Sequence, residues 1–321
     1  MTMTQMPERI KEPFNAFKIA VAIPCYNEAV TIAKVVSDFR SVLPHASIHV
    51  FDNNSTDGSV DLAKKAGATV HLVSKQGKGN VMYAIFESID ADALIVIDGD
   101  DTYAAEEAPM LLEPILQGKA EMVVGSRLQH ATDESLRQLH QFGNRIIVAS
   151  INRMFGTCYK DILSGYRVFN RRFIESIPLL KPGFETETEI TLQALENGLR
   201  IVELPISYRS RPAGSESKLR SFHDGSRIMI AATTLLRDHK PMRLFGLVAL
   251  FSFLIVLLAG SLRIMNYLHM TALPEPLLTG TLLLFAPIGV AALGIGLILS
   301  AINSRFSELK QILMRNLRTN D

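Results

Sequence analysis

Cysteine is scarce in this 321-residue chain: Cys25 and Cys158 stand alone, with no second thiol at a metal-ligand or redox spacing. That excludes a disulfide-stapled scaffold, a cysteine zinc site and a Cys-x-x-Cys redox centre, and it is what a reducing compartment permits. Charge imbalance is missing too. Lys and Arg number 33 against 32 Asp and Glu, a net charge of +1, and no basic segment is interleaved with aromatics, so no nucleic-acid partner is expected. Met1 to Phe17 is polar and broken by prolines, without the apolar core of a signal peptide. Internal repeats and low-complexity segments are absent.

Charge is also missing locally. Leu244 to Leu262 and Leu277 to Ile302 contain no charged residue. Each run meets the length of roughly 20 residues that a bilayer-spanning helix needs, and buried core helices seldom stay uncharged for so long. Pro287, Gly289, Gly294 and Gly296 are tolerated in membrane helices. Arg237, Lys240 and Arg243 precede the first run, and Arg305, Lys310, Arg315 and Arg318 follow the second. Between them lie Glu275 and the boundary Arg263. By the positive-inside rule this is a two-span hairpin with both ends cytoplasmic, in a cell inner or plasma membrane. Ahead of it, Leu219, Phe222, Ile228, Ala232, Leu235 and Leu236 alternate with Arg220, Arg227, Arg237 and Lys240. That pattern suits a helix in the membrane interface, or equally one packed on a core.

What remains alternates in period. Lys18 to Pro24, Ser47 to Asp52, Ala68 to Val73, Ala93 to Ile97 and Glu121 to Val124 read as strands, with helices at about Glu28–Leu43, Thr56–Ala66, Lys78–Ile89 and Glu106–Gln117. Repeated β-α units imply an α/β domain with a mainly parallel sheet covered on both faces. Glu134 to Phe155 reads as a further helix, and Ser164 to Asn170 and Arg200 to Arg209 as further strands. The expected division is a tail at 1–17, a catalytic domain at 18–217, an amphipathic region at 218–243, the hairpin at 244–302 and a basic tail at 303–321.

The chemistry sits where strands end. Asp98-Gly99-Asp100-Asp101 follows the apolar run ending at Ile97 without a loop, which delivers carboxylates to the carboxyl edge of the sheet. Clustered acids repel unless a cation offsets them, and hard oxygen ligands favour Mg²⁺ or Mn²⁺. The alternative is an acidic turn that caps the next helix. Pro24-Cys25-Tyr26-Asn27-Glu28 follows the first strand, and Asp52-Asn53-Asn54-Ser55-Thr56-Asp57-Gly58-Ser59 follows the second. The latter offers acceptors for a base or ribose, or a plain Asx/Ser turn. Gly77-Lys78-Gly79 opens a helix and supplies N–H groups and a cation to an anion, without the spacing of a P-loop.

Together these segments resemble glycosyltransferase family 2, whose members use the Rossmann-like GT-A fold. Ile23 to Glu28, Asp52 to Gly58, Gly77-Lys78-Gly79 and Asp98-x-Asp100 occur in the family's order. So do Gly125-Ser126-Arg127, Asp161-Ile162-Leu163-Ser164-Gly165-Tyr166-Arg167 and Ser217-Lys218-Leu219-Arg220. The later motifs are similar to the polyprenyl-phosphate branch, with its dolichyl-phosphate mannose synthases and bacterial undecaprenyl-phosphate glycosyltransferases. The resemblance spans about Lys18 to Gly225. It implies inverting transfer of a sugar from a nucleotide-diphosphate sugar to a polyprenyl phosphate. Pro24, Tyr26, Glu28, Asp52, Asp57 and Lys78 would bind the nucleotide sugar, and Asp98 and Asp100 would hold Mg²⁺ or Mn²⁺ and the diphosphate. Two departures stand out: Asp101-Thr102 where mannose synthases often have Leu-Gln, and Asp52-Asn53 for the commoner Asp-Asp. They leave a third protein ligand and the choice of nucleotide open. Processive polysaccharide synthesis is disfavoured, since a chain without Trp has no Gln-x-x-Arg-Trp motif.

The cations fit such an acceptor. Arg127, Arg167, Arg209, Arg211 and Lys218 fall in segments expected near the sheet edge, and Arg grips phosphate bidentately. The lipid-phosphate set is therefore Arg127, Ser164, Arg167, Arg211, Ser217 and Lys218, with Ser164 and Ser217 either donating to phosphate or capping turns. A phosphate monoester with a second pKa near ~6 needs little help from a base, so positioning and leaving-group stabilisation dominate. Asp98, Asp100, Arg127 and Asp161 form the catalytic set, Asp161 either acting directly or orienting Arg167. Glu185 and Glu189 share a helix face, to contact the sugar, orient a cation or favour the helix N-terminus. Another glycolipid acceptor and an inactive membrane scaffold are the competing readings, and homo-oligomerisation is left open.

Overall fold

The computed structural model describes residues 17–127, 136–177, 186–212, 214, 234, 237, 240–269 and 273–318. The chain divides into two units, Met1–Gly225 and Ser226–Asp321.

In the first unit β1 (Ile19–Cys25), β2 (Ser47–Asp52), β3 (Thr69–Leu72) and β4 (Ala93–Val96) alternate with α1 (Ile32–Val42), α2 (Ser59–Lys65) and α3 (Lys78–Ser88). A 3₁₀ turn at Ala105–Glu107 runs into α4 (Ala108–Leu116), then β5 (Met122–Arg127) and α5 (Leu136–Phe155). The unit continues with β6 (Arg167–Asn170), α6 (Arg171–Ser176), α7 (Thr186–Glu196) and β7 (Ile201–Ile206). The strands form one sheet in the order β3-β2-β1-β4-β6-β5-β7. β1 pairs in parallel with both β2 and β4, so the strand order reverses beside β1 and a crevice opens at the carboxyl ends of β1 and β4. Only β6 runs against its neighbours, antiparallel to β4 and β5.

Alternation along the strands assigns the two faces. Val21 and Ile23 of β1 join Ile32, Val35, Val36 and Phe39 of α1 and Leu111 and Leu112 of α4. Ala20 and Ala22 face the other way, with Phe51, Val81 and Ile85 of α3, Phe173 of α6 and Ile190 of α7. Burial on both faces is why β1 and β4 read as unbroken apolar runs.

Several boundaries differ from expectation, for local reasons. α1 begins at Ile32 rather than near Glu28, because Asn27 takes a left-handed φ of 54° and the loop is tied down before the helix starts. α2 begins at Ser59, after Gly58 at φ 87°. The strand expected over Arg200–Arg209 ends at Ile206, and Tyr208 makes an isolated antiparallel bridge to Tyr103. The stretch 218–240 lies almost wholly outside the described residues.

In the second unit, α8 (Pro241–Tyr267) and α9 (Glu275–Arg318) pack together. Both are long and apolar enough to cross a membrane. Leucines such as Leu257 and Leu283 are exposed on them, 70% and 72%, which suits a lipid environment. Instead of ending in a tail at 303, α9 continues as helix to Arg318. The contact face uses small residues: Ala249, Ser252 and Ala259 of α8 and Ala292 of α9 are buried. A Cβ at Gly296 would lie 3.0 Å from Phe245 Cβ and 3.6 Å from Met242 Cα, whereas one at Gly294 meets nothing within 4 Å among the described residues. Such close approach is what small residues provide between membrane helices. Asn266 closes the hairpin end, its amide donating to Leu273 O (3.1 Å) and Glu275 (3.0 Å) while accepting from Leu273 N (3.1 Å).

Gly296→Val should therefore cost the hairpin about 1–3 kcal/mol by overpacking, whereas Gly294→Val should be near neutral. Thermal denaturation of the two variants in detergent checks this; equal effects would contradict the assigned contact face.

Candidate active site

The acidic cluster leaves β4 at the crevice and diverges at once. Asp98 Oδ1 pairs with Lys78 Nζ at 2.7 Å, and the same Nζ reaches Glu187 Oε1 at 2.6 Å. Asp100 is buried; its Oδ1 accepts from Thr102 N (3.2 Å) and Oγ1 (2.6 Å), and its Oδ2 from Arg211 at 2.7 Å. Asp101, held at φ 58°, turns away to Lys34 at 2.8 Å. Its carboxylate therefore stands apart from the other two. Burial works against the charge on Asp98, but the nearby Lys78 ammonium prevails and holds the carboxyl below its usual range. Burial likewise opposes the Lys78 charge, and the Asp98 and Glu187 carboxylates more than offset it, pushing its pKa up.

Gly165 makes room for Asp98. A Cβ there would lie 2.2 Å from Asp98 Oδ2. The glycine is fixed in turn by its N–H donating to Tyr103 Oη at 3.0 Å. Burial, reinforced by the Asp98 charge, raises the Tyr103 pKa and keeps the phenol neutral.

Arg127 ends β5 in a two-pronged pair with Asp161: Nε to Oδ2 at 2.6 Å and Nη2 to Oδ1 at 2.9 Å. Its backbone N–H donates to Oδ2 as well, at 3.1 Å, and its guanidinium lies 5.5 Å from the Tyr208 ring centroid. Asp161 is held by its own N–H, which donates to Glu203 at 2.6 Å. Burial opposes the Asp161 charge, yet Arg127 keeps the carboxyl below its ordinary range. Asp161 thus orients Arg127, and not Arg167 as the sequence suggested.

Arg167 itself is a correction. It is 2% exposed, beneath α7, and donates to Ser164 O (3.0 Å), Thr191 Oγ1 (3.0 Å) and Ile162 O. Burial lowers its pKa to about 10, leaving it charged at neutral pH but closed to a phosphate. Ser164 is also buried, its Oγ accepting from Tyr166 N (3.3 Å) and lying 3.4 Å from Tyr103 Oη. Neither belongs with an open anion site. Arg211 joins the acidic pair, and Arg209 lies near Glu106 at 3.7 Å. Ser217, Lys218 and Glu185 fall outside the described residues. Glu189 accepts from Gln193 within α7 at 3.1 Å.

On the nucleotide side, Asp52 ends β2 beside Cys25. Asp52 is 3% exposed; its Oδ2 accepts from Ser55 N (3.1 Å), while Oδ1 is buried with no hydrogen-bond partner among the described residues. A buried carboxylate oxygen without a donor is costly, so this atom suits a ligand N–H or O–H. Burial, then the Asp52 charge, pushes the neighbouring Cys25 thiol up to about 11, which makes it inert at neutral pH. Asp57 serves the loops instead. It accepts from Ala29 N (2.9 Å) and from Ser59 N (3.1 Å) and Oγ (2.5 Å), pinning the loop after β1 to the loop after β2. Glu28 N and Asn27 N donate to Ser59 Oγ (2.8 Å) and Ser55 Oγ (2.9 Å) across the same junction. Pro24 lies opposite Phe51 at the strand end, and Tyr26 is 39% exposed on the loop.

Sequence reasoning missed three contributors. Glu187, not Glu185 or Glu189, is the α7 acid that reaches Lys78. Tyr103 buttresses Gly165, and Asn53 builds the loop beneath Lys78 by donating to Val73 O and Lys75 O, both 2.9 Å, while accepting from Gly77 N at 2.7 Å. An aspartate at 53 has no N–H to make the two donations, which gives a structural reason for Asn in the Asp52-Asn53 pair.

The model of glycosyl transferase family 2 matches residues 20–177. Glycosyltransferase AglJ of Haloferax volcanii is 36% identical over 229 residues, covering 71% of this chain and 75% of its own. The undecaprenyl-phosphate 4-deoxy-4-formamido-L-arabinose transferase of Aeromonas hydrophila is 26% identical over 311 residues, 91% of this chain and 90% of its own. Glucosyl-3-phosphoglycerate synthase from Mycobacterium tuberculosis, solved with Mn²⁺, uridine diphosphate and glucosyl-3-phosphoglycerate, shares the fold: TM-score 0.59 over 73% of this chain and 86% of its own, at 21% identity. The chain belongs to glycosyltransferase family 2, and its first unit has the GT-A fold. It is a glycosyltransferase.

Gly165→Ala should displace the Asp98 carboxylate while leaving the fold intact. A misplacement near 1 Å lowers turnover about 100-fold. Sugar-transfer rates measured beside thermal melts check this; wild-type turnover in a well-folded variant would show that Asp98 need not sit where it does.

Proposed function

We propose that this chain transfers a sugar from a nucleotide-diphosphate sugar to a polyprenyl phosphate at the cytoplasmic face of a membrane, with a divalent cation as cofactor. The observation that carries the reading is the pairing, at one crevice, of an acidic strand end with cations, in a chain that also has two membrane-length helices. Among its relatives the Aeromonas protein, alike over 91% of this chain, is named for an undecaprenyl-phosphate acceptor.

Asp98 and Asp100 fit a hard divalent ion, which commonly takes one or two carboxylates and fills its shell with substrate phosphates and water. A structural neighbour of the same fold was solved with Mn²⁺ and uridine diphosphate, which favours a divalent ion in general. Bound there, the ion would offset charge on the departing nucleoside diphosphate. The remaining work falls to this chain. Asp52 Oδ1 accepts a hydrogen bond from the nucleoside, and Lys78 stands at the diphosphate. Arg127, immobilised by Asp161, and Lys218 draw in the acceptor phosphate, whose oxygen attacks the anomeric carbon in line. The attacking group is largely a dianion at neutral pH, so no general base is required.

Purified protein incubated with a panel of nucleotide sugars, polyprenyl phosphate and Mn²⁺ or Mg²⁺ should yield a polyprenyl-phosphate sugar by mass spectrometry. Asp98→Asn and Asp100→Asn should lose most turnover, and excess chelator should stop it. Full activity in chelator would sink the metal role. In the same assay Lys218→Gln should weaken acceptor use by about 10- to 150-fold, the worth of a charge-assisted contact of roughly 1.5–3 kcal/mol, and spare donor affinity. Asp52→Ala should do the reverse.

The charge flanks place both chain ends in the cytoplasm. A cysteine introduced as Leu273→Cys should react with an impermeant maleimide added outside intact cells, and one at Asn303→Cys should not. The opposite pattern would invert the hairpin.

A further inference from the structure

Three of the four carboxylate oxygens of Asp98 and Asp100 already have donors within the chain: Lys78 on Asp98 Oδ1, Thr102 on Asp100 Oδ1 and Arg211 on Asp100 Oδ2. The fourth, Asp98 Oδ2, lies against Gly165, where even a methyl group has no space. A divalent ion approaching Asp98 at Oδ1 therefore meets an ammonium already bound there. Like charges at that range repel, so one must yield.

The lysine has somewhere to go. Its Nζ stands between two carboxylates at nearly equal distance, 2.7 Å from Asp98 and 2.6 Å from Glu187. Glu187 lies in the first turn of α7 and is the less exposed of the two acids, 13% against 30%. Lys78 can leave Asp98 and remain paired. A lysine suits such an exchange, being a point charge on a flexible four-carbon stem without the fork that locks an arginine in place.

We propose that Lys78 is an internal counter-cation of Asp98 which a divalent ion must displace, and that Glu187 is the positioning residue that receives it. The exchange keeps the acidic strand end neutralised while empty, and frees an ammonium for the donor's diphosphate when the ion binds. It rests on the metal assignment made above, but not on the choice of sugar or acceptor.

Titration of full-length protein in detergent with MnCl₂, read by the electron paramagnetic resonance signal of free Mn²⁺, tests this without turnover. Lys78→Met should bind Mn²⁺ about two- to fivefold more tightly than wild type, as expected for removing one partly exposed competing ion pair. Glu187→Gln should bind it more weakly, because Lys78 is then left with Asp98 alone. In the double variant the affinity should return to that of Lys78→Met. Lys78→Gln carries the same expected sign should the methionine variant melt early. Equal or weaker binding by folded Lys78 variants would overturn the exchange and leave the metal site standing. A loss from Glu187→Gln that persists in the double variant would make Glu187 a direct ligand and overturn its positioning role. Mn²⁺ binding by none of the proteins would overturn the metal site and the exchange together.

Discussion

The neutralisation of Asp98, Asp100 and Asp101 organises the first unit. Three carboxylates within four residues cannot be gathered at a strand end without cations, and the cations come from three distant places: Lys78 from α3, Arg211 from beyond β7 and Lys34 from α1. The acids thus tie together elements up to 111 residues apart, counting from Asp100 to Arg211. This depends on the sheet order. With β1 and β4 adjacent, α1 lies beside the loop after β4; Thr31 at the head of α1 donates to Gly99 O at 2.6 Å. Stability and site geometry here share the same contacts.

Strand ends were legible in the sequence because burial makes parallel strands apolar, in an unbroken run for β4 and largely so for β2, and the first acid after each marks the crevice. Asp52 and Asp98 were found this way. The direction of β6 was not legible. Nothing local tells an antiparallel strand inserted between β4 and β5 from a parallel one, and on that insertion turns the fate of Arg167, which pairs between Val96 and Val124 and points beneath α7. An arginine after a Ser-Gly turn reads as a surface cation; four acceptors buried by non-local contacts make it a core one. Glu187 was missed for a similar reason. Spacing of i, i+4 picks out Glu185 and Glu189 as a face, but which face of α7 meets Lys78 is set by how that helix lies on the sheet. In the second unit the absence of charge located α8 and the apolar part of α9, which continues as helix past residue 303, whereas the amphipathic stretch expected over 218–243 lies mostly outside the described residues.

Two kinds of cation serve this site, and their side-chain chemistry separates their work. Arg127 is clamped by Asp161 through both prongs of its guanidinium and through its own backbone N–H, and Asp161 is clamped in turn by Glu203. A cation so held loses little entropy on meeting an anion and presents it with a fixed geometry. Lys78 is held by two single-point contacts that can be surrendered one at a time. For the incoming phosphate and departing diphosphate of the proposed transfer, a fixed charge would suit the aligned group and a movable one the departing group. The fixed cation ends β5, on a rigid strand, and the movable one opens α3 after a loop that Asn53 stitches together through Val73, Lys75 and Gly77. The loop before Lys78 is thus tied by backbone contacts, as Arg127 is by its own N–H, and what separates the two cations is the side chain: a fork held at two points against a single ammonium shared between two carboxylates.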